Sequence, residues 1–141
     1  TPAAAVVTGT APQMPIDAAL KQALTASFNR TMAELKRPGR LFADPTDELV
    51  QATSDAFATV GLKQLRQDFQ TAAAFDLSAA PITVPTTVIA GAEDRLVPLT
   101  AQQRLATTLS QAGLVVIPNA AHLAMIEQPR RVKQAIRQAL V

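Results

Sequence analysis

The 141-residue chain has no cysteine, no tryptophan, no tyrosine and a single histidine. Lack of cysteine rules out disulfides and thiolate-held metals, although it does not choose a compartment. One imidazole without a neighbouring carboxylate cluster gives no basis for a dedicated transition-metal site, and no cofactor is expected. Charge is equally sparse, with 13 basic and 11 acidic residues leaving a formal +2. The basic residues are scattered, with no run and no aromatic platform among them, so no nucleic-acid partner is expected. No apolar stretch approaches the ~20 residues of a membrane span. The chain begins at Thr1 and not at Met, so the natural start, and any targeting signal, is expected upstream. A cytoplasmic location is the default expectation.

What is present is apolar: 48% of the residues are hydrophobic, enough for one domain with a core and too many for a disordered chain. Two stretches in the last third organise the reading, VPTTVIAGAEDRLVP over 84–98 and GLVVIPNAAHLAMIEQP over 113–129. Each is a β-branched apolar run that ends in a turn bearing an ionisable side chain. Thr86 to Ala90 runs into Gly91, Glu93 and Asp94, and Leu114 to Ile117 runs into Pro118, Asn119 and then His122. Short runs without alternation suit strands buried on both faces. Between them, Thr100 and Gln103 have capping-box spacing, Leu105 and Leu109 lie four apart, and Gly113 follows, which predicts a helix over 100–110. Strand, helix, strand is a βαβ unit, so both turns fall at the carboxyl ends of adjacent parallel strands, the edge where ligands collect in open α/β sheets.

This arrangement resembles the C-terminal part of the α/β-hydrolase fold. Gly91, Asp94, Val97 and Pro98 match the family's Gly-x-x-Asp turn with its Val-Pro. His122, followed by Glu127, Gln128 and Pro129, matches the histidine loop, and the two ionisable residues are 28 apart. The resemblance implies that Asp94 is the triad acid and His122 the general base, in the order nucleophile, acid, histidine. On the residues alone Asp94 is also a favoured turn residue, Glu93 is a competing carboxylate, and a lone histidine in a loop is commonly a surface residue.

The family's nucleophile elbow, usually Gly-x-Ser-x-Gly, does not occur. None of Gly9, Gly39, Gly61, Gly91 and Gly113 is followed two residues on by serine, and Ser27, Ser54, Ser78 and Ser110 sit in or beside predicted helices. The early strands and the oxyanion hole are also missing. The chain therefore reads as an α/β fold, the C-terminal portion of an α/β-hydrolase sheet with about three parallel strands and an inserted helical lid.

Residues 1–10 carry one short strand around Ala4 to Thr8, expected to precede the lid. Thr1 as an N-terminal nucleophile is an alternative that Pro2 and the missing sandwich pattern do not favour. Residues 11–80 are expected to form the lid as three amphipathic helices, which a small helical bundle with no lid role would explain equally well. Leu20, Leu24, Phe28, Met32 and Leu35 draw the stripe of the first. The second starts near Asp44 and Pro45, with Leu49, Val50, Phe57 and Val60 inward. The third runs through Leu62, Leu65, Phe69 and Ala73 to about Asp76. Phe28, Met32, Phe57, Phe69 and Phe75 are candidate pocket residues, although apolar residues at helical spacing are usually core. Residues 81–141 form the C-terminal α/β core segment. It is reached through a return linker over 77–85 with Pro81 and Pro85, and closed by a helix from Pro129 to Leu140 whose Val132, Ile136 and Leu140 pack on the sheet.

The resemblance implies a hydrolase of small apolar esters, lactones or carbon–carbon substrates, to which this chain contributes acid and base without the attacking group. By itself it is expected to be inactive, and to associate with a missing N-terminal half or with itself. The other reading is a truncated, non-catalytic binding or interaction module.

Overall fold

In the computed structural model, residues 3–77 and 82–140 are described. Thr1, Pro2, Ser78 and Pro81 of the sequence reading lie outside them. Three strands, β1 (Ala5–Thr8), β2 (Thr86–Gly91) and β3 (Ala112–Ile117), form one parallel sheet in the order β1-β2-β3. Between β1 and β2 come α1 (Ala18–Ala26), α2 (Phe28–Leu35), α3 (Asp47–Val60) and α4 (Leu62–Ala74). Helix α5 (Leu99–Thr108) crosses from β2 to β3, and α6 (Ala124–Glu127) and α7 (Pro129–Ala139) follow.

The central strand β2 is buried over most of its length because both of its faces are covered. Val88 packs with Leu105 of α5 and with Leu109, which caps that helix, on one side. Ile89, one residue on and therefore on the opposite face, packs with Val132 and Ala135 of α7 on the other. β3 departs from the doubly buried expectation. It lies at the sheet edge and leaves Val116 39% exposed.

A second core lies among the helices, where Leu20, Leu24, Met32, Leu35, Phe42 and Leu65 cluster with Leu96 from the segment after β2. The expected first helix is two helices, broken at Ser27. That residue is fully extended (φ −165°, ψ 162°) and its hydroxyl accepts from Arg30 N–H, capping α2. Serine competes well at such a cap, and its use there turns a continuous apolar stripe into two helices that pack on each other. The next helix begins two residues later than Pro45 suggested, because Thr46 takes the cap and Asp47 and Glu48 fill the first turn.

Three further details differ from the sequence reading. α5 starts at Leu99 behind Pro98 and not with Thr100 as cap, and Gly113 lies within β3. Val60 is exposed, as are Ile136 and Leu140 of the last helix, so Val132 and Ala135 carry the α7 contact with the sheet. Because Ser27 supplies the only side-chain cap of α2, Ser27→Ala is expected to destabilise the fold by about 1 kcal/mol. Urea unfolding of the two proteins measures this.

Candidate active site

The acid turn begins where β2 ends. Gly91 passes so close to the histidine loop that a Cβ there would sit 2.6 Å from the Ala120 carbonyl oxygen and closer still to that of Ala121. Only glycine permits this approach. Backbone bonds then stitch the turn to β3 and its loop: Ala92 N–H donates to Ile117 O (2.9 Å) and Glu93 N–H to Ala120 O (3.0 Å). This winding leaves Glu93 exposed and buries Asp94, which is 4% exposed.

Both Asp94 oxygens are fully engaged. Oδ1 accepts from the backbone N–H groups of Leu96 (2.9 Å) and Val97 (2.8 Å). Oδ2 accepts from Gln102 Nε2 (3.0 Å) and lies 3.1 Å from His122 Nδ1. A carboxylate ringed by donors acts as acceptor, so Nδ1 carries the imidazole proton and Nε2 is left free to accept one.

His122 is delivered by a loop with Asn119 in the left-handed region (φ 54°) and with Ala120 and Ala121 completely buried. The loop is tied to the segment after α2, with His122 N–H on Arg40 O (3.3 Å) and Leu123 N–H on Leu41 O (2.9 Å). Glu127 tightens the same junction. Its Oε1 accepts from Ala43 N–H (2.8 Å), and its Oε2 from Ala121 N–H (2.7 Å), the residue before the histidine. On the other side Gly9, at the end of β1 with φ +60°, leaves room for the ring. A Cβ there would stand 2.7 Å from its Cε1.

The imidazole forms part of the wall of a cavity of about 300 Å³, otherwise mostly apolar, with Leu35, Leu41, Phe57, Phe69, Leu96 and Leu123 among its lining. Of the candidate pocket residues, Phe57 and Phe69 reach it. Met32 is core, Phe28 packs against that core, and Phe75 is exposed beside a different cavity. Asp68 is the one carboxylate in the lining. No cluster of three or more metal-ligating side chains occurs among the described residues.

Sequence reading missed Gln102 and the contacts of Glu127. The sign of Gln102 was a polar residue three before Leu105, on the helix face that packs inward. Glu127 stands out in the sequence only as part of the Glu-Gln-Pro run after the histidine.

A family model described as the alpha/beta hydrolase family matches residues 2–135. The chain belongs to the α/β-hydrolase family. Among solved structures it is similar to a thermophilic esterase (25% identity, TM-score 0.85, 96% of this chain and 55% of that one). It is also similar to an esterase from Exiguobacterium antarcticum (15%, 0.83, 96% and 56%). An enol-lactonase from Burkholderia xenovorans matches comparably (20%, 0.80, 96% and 55%). The α/β-hydrolase chain thus spans a little over half the length of these structures. No curated protein matches it in sequence. No described helix is long and apolar enough to cross a membrane.

Two expectations follow from the geometry. Gly9→Ala forces a side chain into a left-handed backbone position and against the imidazole. It should displace the ring from Asp94, seen as loss of the hydrogen-bonded Nδ1–H signal in the proton NMR spectrum. The second expectation concerns Asp17, which caps α1 through Leu20 N–H (2.9 Å) and pairs with Arg40, whose carbonyl holds His122 N–H. The bond from the Arg40 side chain, against a smaller opposing effect of burial, holds the Asp17 carboxyl below its ordinary 3.8. A depressed carboxyl contributes stability that is complete above its unfolded value and lost as pH falls through the folded one. Asparagine caps equally well, so Asp17→Asn keeps the cap and removes the carboxylate oxygen that accepts from Arg40. For this exposed pair the loss should stay below about 1 kcal/mol near neutral pH, and should vanish once both forms of the group are protonated. Urea titrations at both ends of that range measure it.

Proposed function

We propose that Asp94 and His122 are the acid and base of an α/β-hydrolase catalytic triad whose nucleophile and oxyanion hole come from an N-terminal portion of the fold. The observation that carries this is the 3.1 Å contact between a buried, fully hydrogen-bonded carboxylate and an imidazole that forms part of the wall of an apolar cavity. In the reaction, His122 Nε2 takes the proton of the attacking hydroxyl as it adds to an acyl carbon. Asp94 keeps Nδ1 protonated and stabilises the imidazolium that forms, and His122 then returns the proton to the leaving group. Residues 11–80 act as a lid, 1–10 as the strand before it and 81–141 as the core segment. Phe57 and Phe69 come from helices of that lid and line the cavity, which supports this division. A cavity of about 300 Å³ with so little polar lining suits the apolar part of a small ester, lactone or carbon–carbon substrate.

β1 ends the sheet with one edge unpaired among the described residues. An unpaired parallel edge favours pairing with another segment. The expected occupant is the N-terminal half of the fold, or a second copy when that half is absent.

This chain by itself should hydrolyse p-nitrophenyl esters no faster than free imidazole, since it has no nucleophile elbow. Joined to a nucleophile-bearing N-terminal half, it should turn over short or medium acyl esters. His122→Ala in that protein should then remove activity by on the order of 10⁴-fold or more, because nucleophile and base act as one unit. Asp94→Asn should also be severe, by about 10⁴-fold, through the wrong tautomer. Turnover that survives His122→Ala intact would leave a non-catalytic binding module as the reading.

A further inference from the structure

We infer that Gln102 is a positioning residue for the Asp94–His122 pair, resting on the reading of that pair as acid and base. It lies on α5, completely buried, with Nε2 3.0 Å from Asp94 Oδ2 and 2.8 Å from the Val97 carbonyl oxygen. Both neighbours are acceptors, so the amide presents its NH2 group to them and no flipped orientation satisfies the site. The two bonds use both amide protons. Oε1 then finds no donor among the described residues.

A buried acceptor without a donor is unfavourable, and a methionine or leucine of similar volume would avoid it. Apolar packing therefore does not account for glutamine at 102. Its donors do.

Gln102 acts on the carboxylate in two ways. The backbone N–H groups of Leu96 and Val97 hold Oδ1, and Gln102 holds Oδ2, so the plane facing the imidazole is fixed without help from His122. It also shares Oδ2 with the Nδ1–H donor. Two donors on one oxygen each draw on the same electron density, so the pull of Asp94 on the imidazole proton is tempered. Because the amide is neutral, this is achieved without placing another charge beside the pair.

The test is NMR on this chain, in which His122 is the only histidine and gives an unambiguous imidazole signal. In the unsubstituted protein the Gln102 side-chain amide protons should exchange far more slowly than those of the exposed Gln103, and should show a cross-relaxation peak to His122 Nδ1–H. Gln102→Met should move the Nδ1–H resonance downfield, because Oδ2 is no longer shared. The role is overturned if that resonance stays in place in a folded Gln102→Met protein. Exchange of Gln102 as fast as Gln103, or absence of the Gln102 to His122 Nδ1–H cross-relaxation peak while the downfield signal is present, would overturn it too. If the variant does not fold, the exchange and cross-relaxation data on the unsubstituted chain decide. None of these readouts needs turnover, so failure here is distinct from failure of the triad reading, which the His122→Ala turnover measures.

Discussion

A carboxylate removed from water has to be met by donors, and the local architecture is arranged around that requirement at Asp94. The side chain is 1% exposed and has hydrogen-bond partners in the turn it belongs to, in the helix that follows, and in the loop after β3. Each source constrains a different element. The Leu96 and Val97 N–H groups fix the path of the chain into α5, Gln102 fixes the rotation of that helix, and the imidazole fixes the loop. Removing any one partner would leave a buried charge short of a bond, so these elements are held to one another more firmly than their apolar contacts alone would require.

The second constraint is backbone against backbone. Gly91 and the carbonyls of Ala120 and Ala121 approach closely enough that no side chain fits between them. This brings the ends of β2 and β3 together beyond what the ladder itself fixes. The helical layer joins the same point by a different route, through the carbonyls of Arg40 and Leu41 and the carboxylate of Glu127. Glu127 spans both layers, since one oxygen holds Ala43 and the other holds Ala121. The imidazole therefore sits at the junction of sheet and helices, where a shift of either layer would be felt by its loop.

The sheet and the acid–histidine pair were legible because they depend on patterns that are local in sequence. β-branched runs stop at turn residues, and strand direction then carries Asp94 and His122 to one rim. What was not legible depended on choices between near-equivalent alternatives. Ser27 sits inside an unbroken apolar stripe, and only the packing of α1 on α2 shows that its hydroxyl is worth more as a cap than as a surface group. Thr46 and Pro45 compete for the start of one helix, and the side-chain bond to Leu49 N–H decides it. Gly113 suits a helix end as well as a strand, and its pairing with Thr87 is what settles the matter. Gln102 and Glu127 were missed for a further reason. Their partners are up to 84 residues away or on another element, and no spacing rule reports such contacts.

The hydrogen bonds that orient Asp94 and His122 all come from within the described residues. The pair thus owes its geometry to contacts within this chain. A hydroxyl arriving from another part of the fold would meet an imidazole already held in one tautomer, with Nδ1 committed to the carboxylate. On the proposed reading, orienting the base in advance lowers the entropy that must be lost when the attacking group is brought up. It does not create the attack itself. On the reading proposed above, such a pair has a proton acceptor in place and no attacking group of its own, so the preorganisation within this chain and the expected lack of turnover by it would be two consequences of the same division.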